Sequence, residues 1–159
     1  MSAQGFLLTI AGIALSLAGF SGLVAGLRPT GEPWTKTDVW RLRRIVQQCF
    51  NVLFLALLPI PIFGVVGDEA ITIRVASVVV AVVLVADVAM MTPEWRRDWP
   101  GDPNFYLAWG VDSAVGLALL LNAALWASVG VYEAALVQAL FWPAVLFRLA
   151  VRNLRAERG

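Results

Sequence analysis

The chain contains no histidine, a single cysteine (Cys49) and a single lysine (Lys36). Without histidine, a serine–histidine nucleophile is impossible, and zinc and haem sites of the usual Cys/His kind are excluded. One cysteine cannot close a disulfide within the chain. Lys36 lies in a polar loop, which excludes a buried Schiff-base lysine. Charge is also scarce. Only 14% of residues are charged and 60% are hydrophobic, against about 25% and about 45–50% in an ordinary soluble domain. A water-soluble fold of 159 residues cannot hide that much apolar surface, so the composition points to an all-α integral membrane protein.

What is present is a succession of apolar runs. They predict transmembrane spans at about 6–27, 45–66, 70–91, 105–127 and 132–151, a bundle of five helices in one transmembrane domain covering 1–159. The first run has no basic segment before it and is too long for a signal peptide, so it is read as a retained span. The polar stretches 28–44 and 92–104 are the long loops. Of the 12 Lys and Arg residues, all but Arg74 fall on those loops or at the C-terminal end. The positive-inside rule therefore puts these segments in the cytoplasm and the N-terminus outside. The expected location is a cell membrane of the bacterial inner-membrane kind.

Local signals punctuate the runs. Pro29, Gly31 and Pro33 mark the exit from the first span. Thr35 and Asp38 make a capping box, with Trp34 and Val39 as its hydrophobic staple, so a helix should start near Lys36. Pro59 and Pro61 remove two backbone donors and predict a kink in the second span. Thr92 and Pro93 read as the start of a short surface helix, stopped by Pro100-Gly101 and carrying Trp95 and Trp99 on one face. Asp102-Pro103 would cap the next helix. Ala127 to Val131 reads as a short link, and Trp142-Pro143 predicts a bend in the last span.

The first span carries Gly5, Gly12, Gly19 and Gly26 at a seven-residue repeat. Ala14, Ala18, Gly22 and Gly26 add small residues at every fourth position. Gly12, Gly19, Gly22 and Gly26 therefore offer a packing seam, used either by another span of the same chain or by an oligomer partner.

The polar residues inside spans carry what functional signal there is. Asp112 lies roughly 10 Å into the fourth span and Asn51 roughly 9 Å into the second, while Asp87 and Arg148 are about a turn from their span ends. With the predicted topology, all four share the cytoplasmic half of the membrane. A central aspartate costs on the order of 2.5–3.5 kcal/mol on insertion scales, which favours pairing. Arg148 is the expected partner of Asp112, with Asp87 second and Asn51 donating a hydrogen bond; failing that, Asp112 is protonated or wet. Two readings stay open: a buried ion pair that fixes helix register, or a polar pathway for protons or cations. Arg74 and Glu133 read as interfacial charges, and Asn122 and Gln138 as groups able to bond across helices.

Catalytic motifs are missing. Trp109-Gly110-Val111-Asp112 lacks the Gly-x-Gly-Asp pattern of intramembrane aspartyl proteases, and the residues around Asp87 lack their Tyr-Asp pattern. There is no P-loop and no dinucleotide glycine motif. Phe20-Ser21-Gly22-Leu23 and Arg41-Leu42-Arg43 resemble stretches of small bacterial membrane proteins without assigned activity, which implies no site. The expectation is a non-catalytic protein without metal or cofactor. Its partners are the lipid bilayer and either further copies of itself or other membrane subunits, with no nucleic acid. As an oligomeric channel or transporter it would use the intramembrane carboxylates; the alternative is an accessory or assembly subunit of a larger complex.

Overall fold

The computed structural model describes residues 3–26, 35–98 and 103–156, and among them every regular element is helical. In chain order these are α1 (Ala3–Gly26), α2 (Lys36–Leu57), α3 (Pro59–Val66), α4 (Glu69–Asp98), α5 (Pro103–Leu121), a π-helical turn (Asn122–Trp126) and α6 (Val129–Ala156). They supply 5 stretches long and apolar enough to cross a membrane: Ala3–Gly26, Lys36–Val66, Glu69–Pro93, Tyr106–Trp126 and Val129–Arg148. Each expected apolar run lies largely within one of them. The exit at Pro29, Gly31 and Pro33, Trp34 of the staple, the Trp95–Trp99 face, the Pro100-Gly101 stop and the Asp102-Pro103 cap concern positions that lie wholly or partly outside the described residues.

The chain divides into two compact units. One comprises Met1–Leu57 together with Leu136–Gly159, the other Leu58–Ala135. In the first unit α1 packs along α2. α1 buries Leu7, Ile10, Ala11, Ala14 and Ser21, a single stripe at helical spacing. α2 answers with Ile45, Cys49, Val52 and Ala56, again three or four residues apart. Ala14 and Ala56 are both 0% exposed; side chains this small let the two backbones approach closely.

The ends of α2 follow its local chemistry. The Asp38 N–H donates to Thr35 Oγ1 at 3.1 Å while the Thr35 N–H donates to Asp38 Oδ2 at 3.4 Å. These are the reciprocal bonds of a capping box, and they satisfy donors the first turn would otherwise orphan. At the other end the helix is interrupted at Leu58, directly before Pro59. The two prolines there cannot donate to the carbonyls of Leu55 and Leu57, so the helical ladder stops and restarts.

The second unit begins with α3. This helix ends on Gly67, which adopts φ 70° and donates its N–H to the Phe63 carbonyl at 2.8 Å, a left-handed closure that glycine makes at little cost. Asp68 Oδ1 then accepts the Ile71 N–H at 2.8 Å and caps α4. α4 and α5 form an antiparallel hairpin, with Ile73, Ala76, Ser77 and Val80 buried along α4 and Leu119 buried on α5. α4 does not stop at Thr92. The residues read as a fresh helix start continue the same helix to Asp98, with Pro93 inside it. The Thr92 hydroxyl, expected to cap, donates back to the Val88 carbonyl at 2.7 Å. Pro93 withholds one donor from the turn below it, and the side chain just before it bonds a carbonyl of that turn. The link after α5 is likewise shorter than expected, because only Ala127 and Ser128 separate the π-helical turn from α6. Pro143 sits buried inside an uninterrupted α6.

Several hydroxyls are satisfied within their own helix or by the residue that leads into it. Thr9, Ser16, Ser21 and Thr72 each donate to the carbonyl four residues earlier, at 2.7–2.8 Å, which lets a polar residue sit on an apolar helix. Large apolar side chains meanwhile point outward. Phe20, Leu23, Phe54, Val65, Val82 and Val85 are each more than half exposed. That distribution suits helices surrounded by hydrocarbon rather than water.

Candidate functional site

The four polar residues singled out in the sequence divide between the units. Asn51, half-buried on α2, and Arg148, exposed on α6, belong to the first; Asp87 on α4 and Asp112 on α5 belong to the second. The expected pair Arg148–Asp112 therefore joins residues of different units. Within the second unit the helix register brings the two aspartates to one level. The Asn122 Nδ2 group donates to Ser77 Oγ at 3.1 Å, fixing how α4 and α5 slide past each other. Three residues on from Ser77 is Val80, and three before Asn122 is Leu119, both 0% exposed. One heptad further along the same seam, in each helix, stand Asp87 and Asp112. Each aspartate is ten residues from the anchoring bond (77 to 87, 122 to 112), roughly 15 Å along the axis. Asp87 is buried, 7% exposed, and Asp112 half-buried. Two carboxylates thus occupy a layer about two helical turns from a fully buried Val–Leu layer.

The opposite end of the hairpin holds a polar group that sequence reasoning grasped only in part. Asn122 was expected to bond across helices, and it does so through Ser77. It also turns the chain. Its Oδ1 accepts the Ser128 N–H at 2.8 Å and its Nδ2 donates to the Ser128 carbonyl at 3.0 Å. The Ala127 N–H reaches the Asn122 carbonyl at 2.7 Å, closing a π-type turn, and Ala127 itself takes a left-handed φ of 51°. With the Ser128 N–H held by a side chain, the carbonyls of Ala123 and Ala124 need another donor. Arg74 Nη1 donates to both, at 2.7 and 3.0 Å. An arginine read as an interfacial charge is therefore a helix C-cap, placed where the negative end of the dipole favours a cation. Nothing in the sequence near Arg74 marks this role. The signal lies in the antiparallel register, which sets the start of α4 beside the end of α5.

The glycine positions Gly12, Gly19, Gly22 and Gly26 of α1 are exposed. A Cβ added at Gly12, Gly19, Gly22 or Gly26 meets nothing within 4 Å. Within the first unit the bulkier stripe of Leu7, Ile10 and Ala14 takes the contact with α2. Among the described residues no group of three or more His, Cys, Asp or Glu side chains is placed to hold a metal ion. No family model matches the chain, and neither does any curated protein or solved structure.

Proposed function

We propose that this chain is an integral membrane protein of five transmembrane helices, with its N-terminus outside and its C-terminus in the cytoplasm of a bacterial-type inner membrane. We propose further that it is a non-catalytic oligomer that conducts or transports an ion or small solute. The observation that carries the reading is the carboxylate layer of the α4–α5 seam, Asp87 level with Asp112. Paired carboxylates inside membrane helices are costly to keep, and they are the groups that take up protons and cations along transport paths. The interrupted helix at Leu58 resembles the broken helices found at transport sites. Five spans are too few for an inverted-repeat transporter in one chain, which favours several copies.

A second reading, an accessory subunit of a larger membrane complex, is favoured by the outward glycine face of α1. Such a face admits another helix at close range. One experiment separates the two. The purified protein is reconstituted in proteoliposomes and flux is followed over a range of pH and cations, with Asp87→Asn and Asp112→Asn alongside. Flux lost in both folded variants supports a pathway. No flux for any cation, with another membrane protein co-purifying, supports the accessory subunit. A reporter fused after Gly159 that is found outside the cell would overturn the orientation.

A further inference from the structure

Under the corner where Asn122 locks Ser128, a cleft of about 400 Å³ opens between the end of α5 and the first turns of α6. Val115, Ala118 and Leu119 form one wall, Val131 and Ala134 the other, with Ser128 at its head. The cleft exists because the left-handed Ala127 and the Asn122 lock fix how α6 departs, while the facing residues are too small to fill the gap. Gly130 shows the space directly: a Cβ built there meets only Ser128 Oγ, at 3.7 Å.

Water is a poor occupant. It needs two to four polar partners, and the Ser128 hydroxyl is the only polar side chain on these walls. At roughly 30 Å³ per water-sized group, the volume takes about a dozen methylene-sized groups. The same corner is charged in a particular way. Arg74 spends both described hydrogen bonds through Nη1, leaving Nε and Nη2 as donors for an anion. Asp68, Glu69 and Glu133 at the ends of the neighbouring helices supply carboxylates. A head-group with one phosphate and one ammonium complements that pattern, whereas a purely anionic one meets three acids and one base.

We propose that this corner binds one zwitterionic glycerophospholipid of the phosphatidylethanolamine type. An acyl chain fills the cleft, the phosphate lies against Arg74 and the ammonium turns to the carboxylates. The inference rests on the membrane location proposed above and not on the Asp87–Asp112 pathway, so the flux assay can fail without touching it.

The test is native mass spectrometry of the full chain in detergent, after exposure to phosphatidylethanolamine or, separately, phosphatidylglycerol. The wild type is expected to retain one phosphatidylethanolamine and to discriminate against phosphatidylglycerol. Ala134→Leu and Ala118→Leu, which fill the cleft from opposite walls, should each cut retention about tenfold, because the acyl chain loses its burial. Both positions border open space, and circular dichroism checks that each variant keeps its helices. The proposal is overturned by equal retention of the two lipids, by no retention, or by leucine variants that hold lipid as well as the wild type. A wild-type dimer that the leucine variants dissolve would overturn it too, since a second copy would then fill the cleft.

Discussion

Replacing Asn122 by alanine probes the corner most directly. The side chain makes three hydrogen bonds, to Ser77 Oγ, to the Ser128 carbonyl and from the Ser128 N–H. An interhelical side-chain bond in a membrane protein averages about 0.6 kcal/mol and reaches about 1.7. Leaving a half-buried backbone donor such as the Ser128 N–H without its acceptor costs about 1–3 kcal/mol. Because the alanine loses both, Asn122→Ala should destabilise the protein by about 2–4 kcal/mol. Ser77→Ala removes only the cross-helix partner and should cost about 0.6–1 kcal/mol. The measurement is unfolding of the purified protein in detergent by added SDS, followed by circular dichroism. The double variant closes a cycle whose coupling energy should be about 0.6–1 kcal/mol. A shift below about 0.5 kcal/mol for Asn122→Ala, or strictly additive single variants, would refute the idea that this residue locks α4, α5 and the start of α6 together.

Three further expectations use the same assay. Ala127→Gly removes a side chain from a left-handed position and should raise stability by up to about 1 kcal/mol, whereas Gly67→Ala, at φ 70°, should lower it by a similar amount. Arg74→Met leaves the Ala123 and Ala124 carbonyls short of a donor and should cost about 1–3 kcal/mol; Arg74→Lys, which keeps the cation at the helix end, should recover part of that. Gly19→Ala and Gly22→Ala meet open space and should leave the fold as stable or up to about 1 kcal/mol more so. If analytical ultracentrifugation finds an oligomer, Gly19→Leu should dissolve it without weakening the monomer.

The parts of this fold that were legible in the sequence are those set by short stretches of chain. The five apolar helices follow from length and composition, and the Thr35–Asp38 box and the interruption before Pro59 follow from which groups can donate or accept. The reading failed where one local pattern serves two structures. Thr92-Pro93 suits a helix start, yet the same hydroxyl can bond the carbonyl of Val88 and let the helix run on. The Arg74 cap was invisible for a different reason. It depends on two carbonyls left over by the turn nearly 50 residues away, and no window along the chain contains both. The carboxylate layer is intermediate: both aspartates stand out in sequence, but their common level needs the Ser77–Asn122 register.

The interruption at Leu58 also has a bearing on how the protein is made. Leu58–Ala135 is an unbroken length of chain, while the other unit is split around it. A ribosome delivering the chain from its N-terminus releases α1 and α2 first, then every residue of the inserted unit. Only afterwards does it release the part from Leu136 onward that completes the first. The inner unit can close its own contacts as it emerges, and the outer one waits for the stretch from Leu136 onward. A chain truncated after Ala135 should therefore keep the corner bonds of Asn122 and Arg74, while its first unit, lacking the part from Leu136 onward, becomes a target for the quality-control proteases of the membrane.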